Sequence, residues 1–438
     1  MANQVNPPRG MRDFLPADKA RREHALGVIR GVYRAHGFDE IETPVVEDWA
    51  RLHAGLGGDN EKLSFSILKR GITPEALAGA AEAGDPEKLA DLGLRFDLTV
   101  PLTRFYASHR AELPPVFRAI QIAPVWRAER PQKGRYRQFV QADIDIIGEA
   151  DPLAEIELIT ATSQALAALG LEGCVIRVND RRILFGLLEH CGFAADQHDR
   201  ALITIDKLDK IGAAGVVEEL REIDGVAAER LGSVLSAVEP LLGEEAGIPL
   251  TREAIAAALP GLAADAAGGA AQGIENLAGL GEALADGLPE GVELRFDPTL
   301  VRGMGYYTGT IFEVAHPGSG SSVGGGGRYD GMVGRFLGQN VPAVGFSIGF
   351  ERVVDLISID GHDGPEAIAL VFDADASHAD LAALKRELVA RGHRVRLERR
   401  QKNMRALLDR VASEGFTRFA AVRAGVRGAD ELELRDLG

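Results

Sequence analysis

Apolar residues recur at two different periods along this chain, and the changes from one period to the other divide it. Near the N-terminus Leu26, Ile29, Val32 and Tyr33 fall at helical spacing, which predicts a helix from about Ala17 to His36 that Gly37 stops. FDEIETPVVE then predicts a strand with Pro44 in or near it. Such a proline confines a strand to a sheet edge, a position open to another subunit. Residues 52–93 carry loops and short helices. LRFDL, FRAIQIAPVWRAE and RYRQFVQADIDIIG predict strands, the last two forming an antiparallel hairpin with RPQKG as its basic tip. PLAEIELITATSQALAALG predicts a helix and CVIRVND a further strand.

From Asp180 to about Pro289 the chain turns to Ala, Leu, Glu and Gly with helical periodicity and almost no strand signal, which predicts a separate helical insertion. Strands resume at VELRFDP, MGYYTGTIFEVAH and AVGFSIGF, and ERVVDLIS predicts a helix. After the short break GHDGPE the tail alternates strand and helix: AIALVF, HADLAALKRELVARG, RVRLER, NMRALLDRVASEG, RFAAVRA. That alternation predicts a small α/β domain with a parallel or mixed sheet.

The 438 residues are 46% hydrophobic and 26% charged, which excludes disorder, collagen-like repeats and disulfide scaffolds and leaves room for two to four domains. Cys174 and Cys191 are the only cysteines, which suits a reducing compartment. No run of about 18 apolar residues occurs, and MANQVNPPRG lacks a signal-peptide pattern. A cytoplasmic protein with no membrane span is expected. The net charge of −16 is unevenly spread. Phe117 to Arg137 holds six basic residues against Glu129, a local +5, and Lys385 to Arg427 holds thirteen against four acids, a local +9. Ile211 to Glu290 holds three arginines against fourteen acids, a local −11. Two basic regions either side of an acidic one could offer a polyanion two contact surfaces, or be solvated surface charge.

There is no GxxxxGK[ST], no GxGxxG between a strand and a helix, no nucleophile elbow and no CxxC site, and the ten histidines lack ligand spacing. What stands out is polar residues inside the predicted strands. Arg127, Glu129, Gln141, Asp143 and Asp145 occupy odd positions along the two hairpin arms, hence one face if the arms are regular. Buried without partners, such groups cost several kcal/mol each, so solvent or a polar ligand must satisfy them. VRGMGYYTGTIFE repeats the pattern, with Arg302, Tyr306 and Tyr307 among glycines that permit close approach. The Gly324–Gly327 run leads straight into Arg328-Tyr329-Asp330, which favours a tight turn lining a pocket over a linker. Arg352 lies at a strand-to-helix junction, where its fork can reach a phosphate.

Taken together, these segments resemble a class II aminoacyl-tRNA synthetase, and within that class the histidyl-tRNA synthetase family. RGMRDFLP with GFDEIETPVVE resembles the first class motif, VWRAERPQKGRYRQFVQADIDIIG the second and AVGFSIGFERV the third. VRGMGYYTGTIFE and GGGGRYDGMV resemble the histidine-specific stretches. LRFDLTVPLTRF, VNDRRIL and IDKLDK resemble the eukaryote-like branch. The similarity covers roughly residues 6–357, and the tail resembles the family's anticodon-binding domain.

The resemblance implies an α/β (α+β) fold: an antiparallel sheet core flanked by helices, a helical insertion and a small C-terminal α/β domain. Its expected boundaries are 1–179 and 291–358 for the two parts of the catalytic core, 180–290 for the insertion and 365–438 for the anticodon-binding-like domain. It implies ATP-dependent ligation of L-histidine to tRNA(His) through a histidyl-adenylate, with ATP and Mg2+, in a homodimer. By the same resemblance Asp97 and Thr99 hold the α-amino group. Arg127 grips the α-phosphate and substrate carboxylate, Gln141 binds substrate, and Asp145 with Tyr307 recognises the imidazole, supported by Tyr306. Arg302 acts at the carboxylate and α-phosphate, where related enzymes use a metal ion, Arg352 lies beside ATP and Glu129 near adenine. Gly305 stands where many relatives carry aspartate, and the tail lacks the family's usual end signature. A synthetase-like regulatory subunit of ATP phosphoribosyltransferase shares this pattern, but typically without the tail and with a degraded histidine motif.

Overall fold

The computed structural model describes residues 5–53, 63–132, 134–242, 247–265, 268–302, 305–357, 366–423 and 425–437. Lys133 of the hairpin tip, Gly303 and Met304, and residues 361–365 of the break before the tail lie outside the described residues. The chain forms two compact units, Met1–Arg12 with Ala25–Ile357, and Asp13–His24 with Ser358–Gly438.

Sixteen strands occur among the described residues. The first unit begins with short strands β1 (Asp39–Glu40), β2 (Val46–Asp48), β3 (Ser66–Leu68) and β4 (Ala90–Leu94). The long hairpin arms β5 (Phe117–Trp126) and β6 (Gln138–Ile147) follow, then β7 (Cys174–Asp180), β8 (Ile248–Pro249), β9 (Val292–Phe296), β10 (Thr310–Ala315), β11 (Gly324–Arg328) and β12 (Ala343–Ile348). Nine of these make one sheet in the order β1-β5-β6-β12-β11-β10-β7-β9-β8, while β2-β4-β3 make a small antiparallel sheet. All neighbours in the large sheet are antiparallel except β1/β5 and β7/β9.

Strand alternation sorts this sheet into two chemically different faces. One row of paired residues runs Ile120, Ile144, Phe346, Gly326, Phe312, Val178 and Phe296. Its side chains are all buried and belong to one continuous apolar core. A Cβ on Gly326 would come within 2.9 Å of the Phe312 ring, so the glycine lets Phe312 and Phe346 stack across it at 4.7 Å. The next row runs Gln121, Asp143, Ser347, Gly325, Glu313, Arg177 and Arg295, and it is polar throughout. Helices Leu153–Ala168 and Gly269–Leu284 contact the sheet, and Leu158, Ile159, Leu277 and Leu280 join its core. The helices between Arg181 and Leu284 contribute to that same core.

Four local expectations are corrected. FDEIETPVVE is not one strand: β1 closes an edge of the large sheet, and after residues 41–45 the chain enters the small sheet as β2. Pro44 cannot donate to a ladder, and the buried Arg95 guanidinium takes the carbonyls of Thr43 at 2.9 Å and Pro44 at 3.3 Å. LRFDL is strand only at Leu94, the last residue of β4, and then irregular, because Asp97 Oδ1 accepts from the Val100 amide at 3.2 Å just before the helix Thr99–His109. The two tyrosines of MGYYTG lie in irregular chain before β10 begins at Thr310. Gly324–Gly327 is not a turn but most of β11, paired on both sides by β10 and β12.

In the second unit β13 (Ala367–Phe372), β14 (Arg394–Arg399), β15 (Arg418–Val422) and β16 (Arg435–Asp436) form a sheet ordered β14-β13-β15-β16. Its first three strands are parallel and β16 is antiparallel. Ile368 and Leu370 pack with Leu381, Leu384 and Leu388 of the helix His378–Ala390. Ala367, Ala369 and Val371 pack with Leu407 and Val411 of the helix Met404–Ser413. The uninterrupted apolar run AIALVF is thus a strand covered on both faces.

Candidate active site

A cavity of about 470 Å³ opens over the polar face of the large sheet. Asp97, Thr99, Arg127, Glu129, Gln141, Asp145, Arg302, Tyr306, Tyr307 and Arg352 all line it, as do Asp143, Ser347, Tyr329 and glycines 324–327. The glycine strand is what makes the cavity possible. A Cβ on Gly325 would meet Arg302 Nη1 at 2.8 Å, and one on Gly327 would meet the Tyr307 ring at 2.9 Å. Opposite Asp145, a Cβ on Gly345 would come within 1.9 Å of Oδ1.

Three buried aspartates, Asp97, Asp143 and Asp145, line the cavity. Burial pushes the Asp97 carboxyl up to about 6, against the opposing pull of the Val100 amide and Arg127. Burial likewise raises Asp145 to about 7, with a hydrogen bond from Tyr329 opposing it. Asp143 is raised further, by burial and then by Asp145 beside it. Tyr329 donates to Asp145 Oδ1 at 2.6 Å. Gln141 donates to Asp143 Oδ2 at 3.3 Å and to Ser347 Oγ at 3.2 Å. Asp97 Oδ2, Gln141 Oε1 and Asp143 Oδ1 are buried acceptors without a protein hydrogen bond. Three converging acceptors of this kind suit a ligand that carries several N–H donors and positive charge.

Arg127, Arg302 and Arg352 line the same cavity. Arg127 Nε donates to the Phe96 carbonyl at 3.0 Å and the guanidinium lies 5.0 Å over the Phe139 ring. Arg302 Nη1 donates to Glu313 Oε2 at 2.7 Å. Arg352 is held by the Ser322 carbonyl, and its pKa is lowered by burial and then by Arg135, with Arg302 and Arg127 adding to the effect. A partly buried guanidinium whose charge is disfavoured by neighbouring guanidiniums, as Arg352's is, marks a site for a polyanion. Each of the three arginines is anchored from behind, which is how a rigid anion cradle is built.

The hairpin between β5 and β6 adds Gly134, Arg135 and Tyr136 to the cavity lining. The Gln132–Arg135 bridge makes its tip, and Arg135 pairs with Glu129 at 3.5 Å. Arg12 stacks on the Tyr136 ring at 3.5 Å and pairs with Glu351. Glu351 Oε1 in turn accepts from the Val140 amide at 3.1 Å.

The structure places Asp97, Thr99, Arg127, Glu129, Gln141, Asp145, Arg302, Tyr306, Tyr307 and Arg352 around one cavity, whereas Arg328 and Asp330 do not line it. One pairing differs. The tyrosine on Asp145 is Tyr329, whereas Tyr307 stacks with Tyr306 at 4.8 Å and touches Arg302. Glu313, Glu351 and Tyr329 were not assigned as site residues from the sequence. Glu313 had a signal, since it is the only charged residue in the strand segment TIFEVA. Tyr329 follows the glycine run and becomes a site residue once that run is a strand. Among the described residues no group of His, Cys, Asp and Glu is arranged to hold a metal ion, and no helix is long and apolar enough to cross a membrane.

Comparison with known proteins finds relatives along nearly the whole chain. The profile of the histidyl-tRNA synthetase family matches residues 10–353. A histidine--tRNA ligase of Leifsonia xyli subsp. xyli is 66% identical over 437 residues, covering 100% of this chain and 99% of the relative. The histidyl-tRNA synthetase of Nostoc sp. PCC 7120 superposes with a TM-score of 0.74 at 24% identity, over 99% of this chain and 95% of that one. A Bacillus halodurans C protein described as an ATP phosphoribosyltransferase regulatory subunit/histidyl-tRNA synthetase also gives 0.74, at 22% identity over 96% and 97%. At those identities the two structures bear on the fold alone.

Proposed function

The chain belongs to the histidyl-tRNA synthetase family, and from that premise we propose how its own residues divide the work. The reaction is ATP-dependent ligation of L-histidine to tRNA(His) through a histidyl-adenylate, releasing AMP and pyrophosphate. The observation that supports the assignment of roles is one cavity lined by both unpaired buried acceptors and three anchored arginines.

The α-ammonium of histidine is held by Asp97, Thr99 and Gln141. Neutral imidazole offers one donor and one acceptor, and Asp145 with Tyr329 and Tyr307 can match both, with Tyr306 packed behind. The pocket so built rejects an amino acid lacking those groups more strongly than an apolar one would. The substrate carboxylate is already ionised, so its attack on the α-phosphorus needs alignment and charge stabilisation rather than a protein base. Arg127 and Arg302 face the reacting carboxylate and α-phosphate, and Arg352 faces the departing pyrophosphate. Glu129 lies at the adenine end. Mg2+ enters with the nucleotide as part of the substrate. The terminal hydroxyl of the tRNA then attacks the adenylate carbonyl and AMP leaves.

The hairpin tip, with Arg130 and Arg135, approaches the acceptor end of the tRNA. We divide the chain into catalytic core (1–179 and 291–358), helical insertion (180–290) and a tail (365–438) that meets the anticodon. The enzyme works in the cytoplasm as a homodimer. Supporting the dimer are the edge strand β1 and the exposed apolar side chains Val45, Leu68 and Leu92 on or beside the small sheet; a monomer in sedimentation would refute it.

The deciding experiment is ATP–pyrophosphate exchange. Exchange that requires histidine, is absent with other amino acids and falls about 1,000-fold or more in Arg302→Ala is expected. A folded, histidine-binding protein without exchange would overturn the assignment.

A further inference from the structure

The polar row of the large sheet continues past the cavity through Glu313 and Arg177. Glu313 on β10 is the branch point. Its Oε2 accepts from Arg302 Nη1 at 2.7 Å, and its Oε1 accepts from Arg177 Nη2 on the neighbouring strand β7. Arg177 Nη1 reaches Asp297 Oδ2 at 3.2 Å. Asp297 Oδ1 is itself fixed by the Thr299 amide at 2.9 Å and hydroxyl at 2.6 Å. On the other side Gly325 is paired with Glu313 in register, and its missing side chain is the space through which the Arg302 guanidinium reaches Glu313.

We propose that Glu313 is a positioning residue for Arg302, and that Arg177 behind it keeps Glu313 from neutralising the charge Arg302 directs at the α-phosphate. The inference rests on the assignment of Arg302 above and extends it. A lone carboxylate on Arg302 would fix the guanidinium but cancel its charge locally. Shared between two guanidiniums, the same carboxylate supplies the fixed geometry while its negative charge is divided. Arg177 is in turn balanced by Asp297, so the line ends on an anchored acid instead of an uncompensated cation. Asp206, from the IDKLDK stretch of the helical region, adds to the rear of this network. Its carboxyl is raised by burial and opposed most by Arg302, and with Asp209 it lines a small polar cavity behind Glu313 and Arg177. That gives this sequence stretch, which the substrate contacts do not use, a place in the site's electrostatics.

The test is exchange kinetics on the full chain carrying Glu313→Gln, Arg177→Ala, Arg302→Ala, and Glu313→Gln with Arg302→Ala. Glutamine preserves the shape of the buried acid, so loss of folding does not decide the result. Glu313→Gln is expected to lower kcat roughly 10–100-fold with KM for histidine changed less than about threefold, because the interaction serves the transition state. Arg177→Ala is expected to lower kcat by a smaller factor, about 3–10-fold. The double variant should be no slower than Arg302→Ala alone, since Glu313 acts only through that arginine. A Glu313→Gln enzyme within twofold of the wild type, or losses that multiply in the double variant, would overturn the proposal while leaving the function standing. An Arg302→Ala enzyme as fast as the wild type would overturn the assignment beneath it, and the proposal with it.

Discussion

Arginine dominates two regions of this molecule, and the two use it in opposite ways. Over the large sheet Arg127, Arg302 and Arg352 are each held from behind by a carbonyl or a single carboxylate, and all three line the cavity. In the C-terminal unit most arginines are consumed by their neighbours. Arg396 pairs with Glu398 and Glu414, and Arg410 pairs with the same two acids. Arg391 pairs with Glu387 and Asp430, and Arg418 with Glu366 and Asp436. Counted over residues 366–437, fourteen Lys and Arg face twelve Asp and Glu, a net +2. The +9 window from Lys385 to Arg427 omits the acids on either side of it. A local excess of arginine says nothing about available charge until its partners are placed.

The largest effect that would sharpen this contrast lies at the buried acids of the cavity. Asp145→Asn keeps the shape of the side chain but removes the charge, and kcat/KM for histidine is expected to fall roughly 100-fold or more. Its signature is in the pH profile. Asp97 and Asp145 are raised, to about 6 and about 7, so both are neutral on the acid side and charged on the alkaline side. Histidine binding by the wild type should therefore strengthen as pH rises through about 6 to 7 and then level off. The imidazole of free histidine titrates in the same range, but it does so identically for both proteins. The step near 7 should be missing from Asp145→Asn, and a persistent step would remove Asp145 from the imidazole site. Raised carboxyls carry the opposite sign for folding. The ligand-free wild type gains stability relative to the variant below the folded pKa and loses that advantage as pH rises from about 4 through about 7.

The same contrast explains what was legible in the sequence. Alternation along the hairpin placed Gln141, Asp143 and Asp145 on one face because β6 is regular from Gln138 to Ile147. It extended to Arg127 only by virtue of the turn after Trp126, where the Arg127 amide still bonds to the Arg137 carbonyl. The motif resemblance gathered the other site residues, whose sequence separations are too long for any local period to connect. Local chemistry misled where tertiary partners overruled it. Four glycines signal a turn by composition, yet they form β11 because cross-strand neighbours need the space their side chains would fill. LRFDL has strand composition, yet Arg95 turns inward to the Thr43 and Pro124 carbonyls and breaks the run. Tyr329 and Glu313 were hidden for a related reason: their roles depend on pairing across strands rather than along one.

The smallest effects fall in the C-terminal unit, where they separate occupied from available charge. Arg399, Lys402 and Arg405 are exposed and, among the described residues, have no ion-pair partner. Arg396 has two carboxylate partners. If this unit meets the tRNA through phosphates, replacing Arg399, Lys402 and Arg405 together by alanine should raise KM for tRNA several-fold. It should also flatten the salt dependence of tRNA binding, by about 0.7–0.9 in logarithmic slope for each phosphate that is no longer neutralised. Arg396→Ala should leave both within about twofold, since an exposed arginine already paired twice has little charge to give. Exchange without tRNA should be unchanged in either variant, because neither lines the cavity. Equal effects of the two changes on tRNA would mean that the ion pairs open when tRNA arrives. The number of arginines, rather than their pairing in the free protein, would then set the affinity, and the distinction between the two regions would fail where it is weakest.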